Sequence, residues 1–415
     1  MKKSLLISLG GATAPVVVSI KYHKPEYLLF YTSKQTQKHV PTVLEAARGF
    51  FGTHDSIVTQ SSDEFDVCFE TLYRGLPRKM KLYGISRDEL IVDFTGGTKN
   101  MSAAMALATA EFTRQFSYVG GKERTKEGTG IVIDGEEYVE ISRNPWDVMA
   151  IPIRKRVGIL FNKARFASAR YELEMIKDNV SPHLKRLYGA LSDIISGFYY
   201  WDNFMYSQAV GPMNKGVREL CDYAKAAGEN TLDDWGVHVK KLFPHIEELR
   251  NQQSNNEFKD EFIIDLISNA QRRAVKENKF DDAVARLYSC IERIAKIRLL
   301  REYKLNNSKI RPEDLPISIR EDFKKRFYDR DDKCIKIGLY HSYQLLDALN
   351  DPVGTDFMKR YKHEIKPLLK TRNFSPLAHG IDPIKQNTYD KFFRQVCNLY
   401  GIDESHLTMF PDLEM

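Results

Sequence analysis

The run Leu90-Ile-Val-Asp-Phe-Thr-Gly-Gly-Thr-Lys-Asn100 constrains this chain most. Its apolar segment closes in a glycine pair and opens directly into Met101-Ser-Ala-Ala-Met-Ala-Leu-Ala108. That pattern reads as strand, tight turn and helix. Such a turn aims backbone N–H groups and a helix N-terminus outward, here beside two threonine hydroxyls and Lys99, which suits a phosphodiester or another anion. The run has neither the spacer of G-x-x-x-x-G-K-[ST] nor G-x-G-x-x-G, so neither a P-loop nucleotidase nor a hydride-transfer enzyme follows from it. A Gly-Gly pair between strand and helix also serves simply as a turn.

Ser4–Leu9 runs into Gly10-Gly11-Ala12-Thr13, and Tyr27–Tyr31 into Thr32-Ser33-Lys34-Gln35. His54–Thr59 and Phe116–Val119 read as further strands, and 37–51 and 63–76 as helical stretches. The alternation predicts a Rossmann-like α/β domain with a doubly wound parallel sheet, ending near residue 150. Ligands in such sheets sit outside the carboxyl ends of the strands, so these ends line one polar site.

Gly10-Gly11 after the first strand, with Asp93-x-Thr-Gly-Gly-Thr-Lys99-x-Met-Ser102, resembles the ligand-binding CARF domain of CRISPR-associated proteins from type III systems. In that family the domain dimerises and a cyclic oligoadenylate lies across the two copies. The resemblance implies ligand contacts from Gly10, Gly11, Thr95, Gly96, Gly97, Thr98, Lys99 and Asn100. Ser8, Ala12, Thr13 and Ser33, at the neighbouring strand ends, complete the expected set.

A chain of 415 residues with 42% hydrophobic residues buries a substantial core in two or three domains. No run approaches the roughly 18 apolar residues of a membrane helix, and the N-terminus enters a strand rather than a signal-like segment. A cytoplasmic protein without membrane contact is expected. The five cysteines are far apart and lack C-x-x-C spacing, so they read as buried thiols. With 62 basic against 56 acidic residues, the net charge of +6 favours a polyanionic partner only weakly. Arg154-Lys155-Arg156 with Lys163, Arg165 and Arg170 reads as a solvated linker helix ahead of an RNA-contacting face.

Beyond residue 150 the chain turns to long charged helices, with Pro145 and Pro152 bracketing the change. In Asp281–Leu300, Val284, Leu287, Tyr288, Ile291, Ile294 and Ala295 form one core face behind aspartates suited to an N-cap.

The second carrier of chemistry is Lys370-Thr-Arg-Asn-Phe-Ser-Pro-Leu-Ala-His-Gly380. Ser375 can cap and Pro376 can open a helix, which places His379 in its first turn with Arg372 reaching in. RNA carries its own nucleophile, the 2′-hydroxyl, so its cleavage needs orientation, proton transfer and stabilisation of the phosphorane. Histidine titrates where that proton transfer requires it. Arginine offers a charged fork to phosphate oxygens, and Asn373 can orient either group. A lone histidine on a surface turn is otherwise only a polar cap.

Arg372–Gly380 resembles the R-N-x-x-x-x-x-H signature of HEPN ribonucleases, and Lys279–Tyr288 resembles the helix that opens that domain. HEPN sites are composite, which implies a homodimer in which Arg372, Asn373 and His379 face their symmetry mates. The six residues between Arg372 and His379, a proline among them, lie at the long end of the family's range.

Both resemblances imply an α/β Rossmann-like N-terminal CARF domain (1–150), a helical connector (151–270) and an all-α HEPN ribonuclease domain (271–415). The implied activity is metal-independent cleavage of single-stranded RNA by 2′-hydroxyl attack, in type III CRISPR antiviral defence. Cyclic tetra- or hexa-adenylate is the implied activator, and no cofactor is expected. Slow degradation of the activator would fall to Ser8, Thr13 or Lys99. One alternative is a restriction-type metal nuclease at Asp351, Glu364 and Lys366. Its carboxylates belong on adjacent strands, whereas Phe357–Lys370 has helical charge spacing. The other is a non-enzymatic ligand-controlled regulator, for which the C-terminal half offers no short recognition helix.

Overall fold

Apolar runs that end in small or polar residues become the parallel strands of the N-terminal half. The computed structural model describes residues 3–121, 137–142, 144–255, 257 and 259–415. They form two compact units, one of residues 1–154 and 173–188, the other of 155–172 and 189–415.

In the first unit the order is β1 (Ser4–Leu9), α1 (Ala14–His23), β2 (Tyr27–Ser33), α2 (Val40–Ala46), β3 (Thr53–Thr59), α3 (Phe65–Tyr83), β4 (Leu90–Asp93), α4 (Lys99–Thr109), β5 (Gln115–Gly121) and β6 (Glu137–Ile141). The sheet runs β3-β2-β1-β4-β5-β6. Its first five strands are parallel, and β6 pairs antiparallel with β5. Leu5, Ile7, Leu28 and Phe30 pack on Val16, Ile20 and Val43 on one face. Leu6, Leu29, Tyr31 and Val92 pack on Leu72, Leu76, Met101 and Met105 on the other. Burial on both faces explains why these strands read as continuous rather than alternating apolar runs.

The elements depart from expectation at one helix and one strand. The helix expected over 37–51 is a single 3-10 turn, Gln37–His39, followed by α2, and the chain turns at Gly49 with φ +82°. The strand β6 was not expected. α5 (Pro145–Asn162) starts at Pro145 and runs through Pro152.

The chain continues with α6 (Phe166–Ile176), α7 (Pro182–Asp202), α8 (Tyr206–Ala227), α9 (Asn230–Lys240), α10 (Phe243–Ser254), α11 (Asp260–Glu277) and α12 (Phe280–Tyr303). Then follow α13 (Ile317–Phe327), the ribbon β7 (Tyr328–Asp329) and β8 (Cys334–Ile335), α14 (Leu339–Ala348), α15 (Pro352–Arg360), α16 (Lys366–Asn373) and α17 (Gln386–Tyr400). Among the described residues no helix is long and apolar enough to cross a membrane.

The predicted stripe of α12 is core: Val284, Leu287, Ile291, Ile294 and Ala295 are buried in one cluster with Ile267, Tyr343 and Phe392. Tyr288 is only half-buried. The aspartates do not cap this helix. Lys279 holds the N-cap position, and Asp281 and Asp282 lie in the first turn, where Asp281 accepts from Ile384 N at 3.0 Å.

A buried charged network ties the second unit together. Arg272 Nε donates to Asp202 at 3.0 Å and its Nη1 to the Thr408 carbonyl at 2.7 Å, while its guanidinium lies 4.0 Å from the Phe410 ring centre. Asp265 accepts from Trp201 Nε1 at 2.9 Å and from Tyr206 OH at 2.8 Å. Arg273 pairs with Asp202 at 2.7 Å and also with Glu277. Removing one member strands buried charge, so Arg272→Ala is expected to cost about 3–5 kcal/mol of unfolding free energy, read from chemical denaturation.

Candidate functional site

Two places collect the residues singled out by sequence. In the first unit, β1 and β4 are neighbours from which the sheet winds in opposite directions, the switch point at which such sheets bind ligands. Both glycine turns lie there. A Cβ on Gly10 would stand 2.7 Å from Gly97 N, and one on Gly96 2.3 Å from the Ser8 carbonyl, so these two glycines permit the turns to touch. Gly97 has φ +84°, which also favours glycine.

Most of the expected hydroxyls build this turn. Ser8 Oγ is buried and donates to the Gly96 carbonyl at 2.6 Å. Thr95 N donates to Asp93 at 2.9 Å, the Thr95 hydroxyl donates to the same carboxylate, and Val119 N donates back to that hydroxyl at 2.8 Å. Thr98 caps α4 by accepting from Met101 N and donates to the Ser62 carbonyl at 2.5 Å, while Asn100 Nδ2 donates to the Asp63 carbonyl at 2.5 Å. Ser33 Oγ bonds Thr36. Gly11, Ala12, Gly97 and Lys99 remain exposed, with open space around Gly11. Thr13 is half-exposed at the N-cap of α1, without a side-chain capping bond. The exposed rim is therefore backbone and lysine.

Asp93 also accepts from Ser19 Oγ at 2.6 Å, and His23, 2% exposed, bonds Ser117 Oγ at 2.9 Å. Neither Asp93 nor His23 was among the sequence-predicted site residues. The D-x-T spacing of Asp93 and Thr95 is the signal for the first; His23 lies in an apolar helix and gives none.

The second place is the end of α16. Ser375 opens no helix: α16 ends at Asn373 and residues 374–380 form a non-helical turn. The buried Ser375 accepts through its carbonyl from Ala378 N at 2.9 Å and Gly380 N at 3.2 Å, which folds the turn back on itself. His379 N donates to the Asn373 carbonyl at 3.2 Å, so the histidine returns beside the end of the helix that carries Arg372. A Cβ on Gly380 would meet the Phe374 carbonyl at 1.9 Å, so glycine is required there. Arg372 lies 4.2 Å from the Tyr288 ring centre, and its Nη1 donates to Asn373 Oδ1 at 3.2 Å. His379 is exposed. Sequence assigned Tyr288 to the core because its position fits the apolar stripe.

Asp351, Glu364 and Lys366 do not lie on adjacent strands. Asp351 is buried, caps α15 and is held by Arg298 Nε at 2.6 Å and Tyr303 OH at 3.1 Å. Glu364 accepts from Gln395 at 2.8 Å, and Lys366 begins α16. Burial and helix capping commit the aspartate to structure.

Two family profiles match the chain, "Csm6 HEPN domain" over residues 251–403 and "Csm6 6H domain" over 153–246. Together they cover more than half of it, including residues for which the sequence reading found no motif. The chain is also similar in fold to a solved structure of Enterococcus italicus Csm6 bound to cyclic hexa-2′-fluoro-hexa-dAMP. The TM-score is 0.55 at 11% identity, over 98% of this chain and 96% of that one. No curated protein matches.

Gly96→Ala is expected to lower stability by about 2 kcal/mol or more through its clash with backbone, while Gly11→Ala leaves the melting temperature nearly unchanged. Burial holds the His23 imidazole below its ordinary value, as it does for His245 and His341. The unfolded chain then takes up protons that the native chain does not. Stability is full above about pH 6.5 and falls as the pH drops below it. His23→Gln should remove its share of that slope in urea titrations between about pH 5 and 8.

Proposed function

We propose, from a chain that belongs to the Csm6 family of CARF–HEPN proteins, an endoribonuclease switched on by a cyclic oligoadenylate. The observation that carries the reading is the turn that returns His379 to Asn373, beside an Arg372 laid on Tyr288.

His379 moves the proton of the RNA 2′-hydroxyl or of the leaving 5′-oxygen, and Arg372 stabilises the charge on the phosphorane. Asn373, bonded to Arg372, holds the fork in place. The 2′-oxygen attacks phosphorus, the P–O5′ bond breaks, and the products carry a 2′,3′-cyclic phosphate and a 5′-hydroxyl. This route asks for no metal ion. Two protomers complete the site, each giving an Arg372 and a His379.

The activator lies against Gly11, Gly97 and Lys99, where backbone N–H groups and an exposed ammonium meet its phosphates. It activates by binding the active arrangement more tightly than the resting one. If the activator is itself slowly cleaved, Thr13 and Lys99 are the groups at hand, since Ser8 gives its proton to Gly96.

The test is cleavage of labelled single-stranded RNA in EDTA, with and without cyclic tetra- and hexa-adenylate. One ring size should activate. Arg372→Ala or His379→Ala should lower cleavage by about 100-fold or more while activator binding persists. Lys99→Ala should weaken activator binding while leaving a folded chain. Chelator-sensitive cleavage with 3′-hydroxyl products would overturn the mechanism.

A further inference from the structure

The backbone is helical without interruption from Pro352 to Asn373, through α15, a π-turn at Tyr361–Ile365 and α16. One side of this run is packed: Gly354, Phe357 and Ile365 are buried, and Tyr361, Leu368, Leu369 and Arg372 are half-buried, recurring every three or four residues. The opposite side carries Lys359, Lys362, His363, Lys366 and Lys370, all exposed.

Among the described residues, no carboxylate pairs with any of these four lysines. The acids on the same run are engaged elsewhere, Asp356 with Arg360 and Glu364 with Gln395. Some other lysines of the unit are neutralised, such as Lys215 by Asp193 at 2.8 Å and Lys276 by Asp412 at 2.7 Å. Like charges at helical spacing repel and weaken the helix. An unneutralised row therefore adds mostly repulsion to the fold, and it fits a polyanion that neutralises it. Lys359 to Lys370 spans about 16 Å at the helical rise, room for several backbone phosphates. Lysine ammonium groups are mobile point charges that meet phosphate whatever the base. The row leads to the helix end bearing Arg372, where Lys370 stands 5.9 Å from the ring centre of the exposed Phe374, a face on which a base can stack.

We infer that the Lys359–Lys370 face is the track along which the phosphate backbone of single-stranded RNA reaches Arg372. This rests on the endoribonuclease reading and adds where the substrate is held.

The test uses the full chain in a His379→Ala background, so that RNA stays intact, and measures binding of labelled single-stranded RNA by fluorescence anisotropy across a salt series. Replacing Lys359, Lys362, Lys366 and Lys370 by Gln should weaken binding at least about tenfold at low salt. It should also lower the log–log salt slope by up to about 3, at about 0.7 per lost phosphate contact. The same four positions as Arg should keep the slope. A control set of exposed residues on and beside α13, Lys324, Lys325, Arg330 and Lys333 replaced by Gln, removes equal charge and should leave the slope unchanged. If the fourfold Gln variant fails to fold, Lys362→Gln with Lys366→Gln carries half the change. An unaltered slope in the track set, or an equal fall in the control set, overturns the inference. Activated RNA cleavage by the unsubstituted chain separates the two claims. If it cleaves and the track set binds normally, only the track fails; if it neither binds nor cleaves RNA, both fail.

Discussion

The second unit depends on the buried pairing of Arg272 and Arg273 with Asp202 and Asp265. These charges join α7, α11 and the C-terminal Thr408–Phe410 segment, and Asn269 bonds Arg286 and so links α11 to α12. Buried ion pairs rarely add net stability over a well-packed apolar substitute, because desolvation offsets the attraction. Their effect is to make other placements of these helices costly, since any shift leaves a charge without its partner. The consequence reaches the proposed catalytic arginine through α12: Tyr288 stands on that helix, and Arg372 lies on Tyr288.

The first unit reaches the same end with neutral groups. Two backbone turns touch because Gly10 and Gly96 have no side chain, Ser8 Oγ bonds the Gly96 carbonyl, and the hydroxyls of Thr95 and Thr98 are engaged with Asp93 and with the Ser62 carbonyl. A turn built this way presents N–H groups and Lys99 in a fixed array, which costs little reorganisation when an anion binds.

Much of this was legible in the residues. β1, β2 and β4 were plain because strands buried on both faces leave continuous apolar runs, and the glycine ends of β1 and β4 marked the switch point. The Arg372–His379 string, proposed as catalytic, stood out as a motif but not in its geometry, because Ser375-Pro376 is a good helix start whose hydrogen bonds are taken instead by the tight turn around Ser375. β6 escaped because Glu-Tyr-Val-Glu-Ile is short and half-polar, as an edge strand should be. The lysine face kept its helical spacing in the sequence, but whether its charges are paired depends on contacts with other elements, which the residues alone do not show.

The pairing of Arg372 with a tyrosine rather than a carboxylate matters for what the arginine can do. A carboxylate would occupy the guanidinium fork and compete with phosphate, whereas an aromatic face holds the cation flat and leaves its N–H edges directed outward. The arrangement works only while the phenol stays neutral, since a phenolate would itself be a counter-ion. Burial of Tyr288, reinforced by Glu292, raises its ionisation well clear of neutral pH despite the nearby arginine. Among the described residues no carboxylate pairs with Arg372, so its full charge is available to a phosphate. Position is thus supplied by a ring and an amide, and the charge is left free for a phosphate of the proposed substrate.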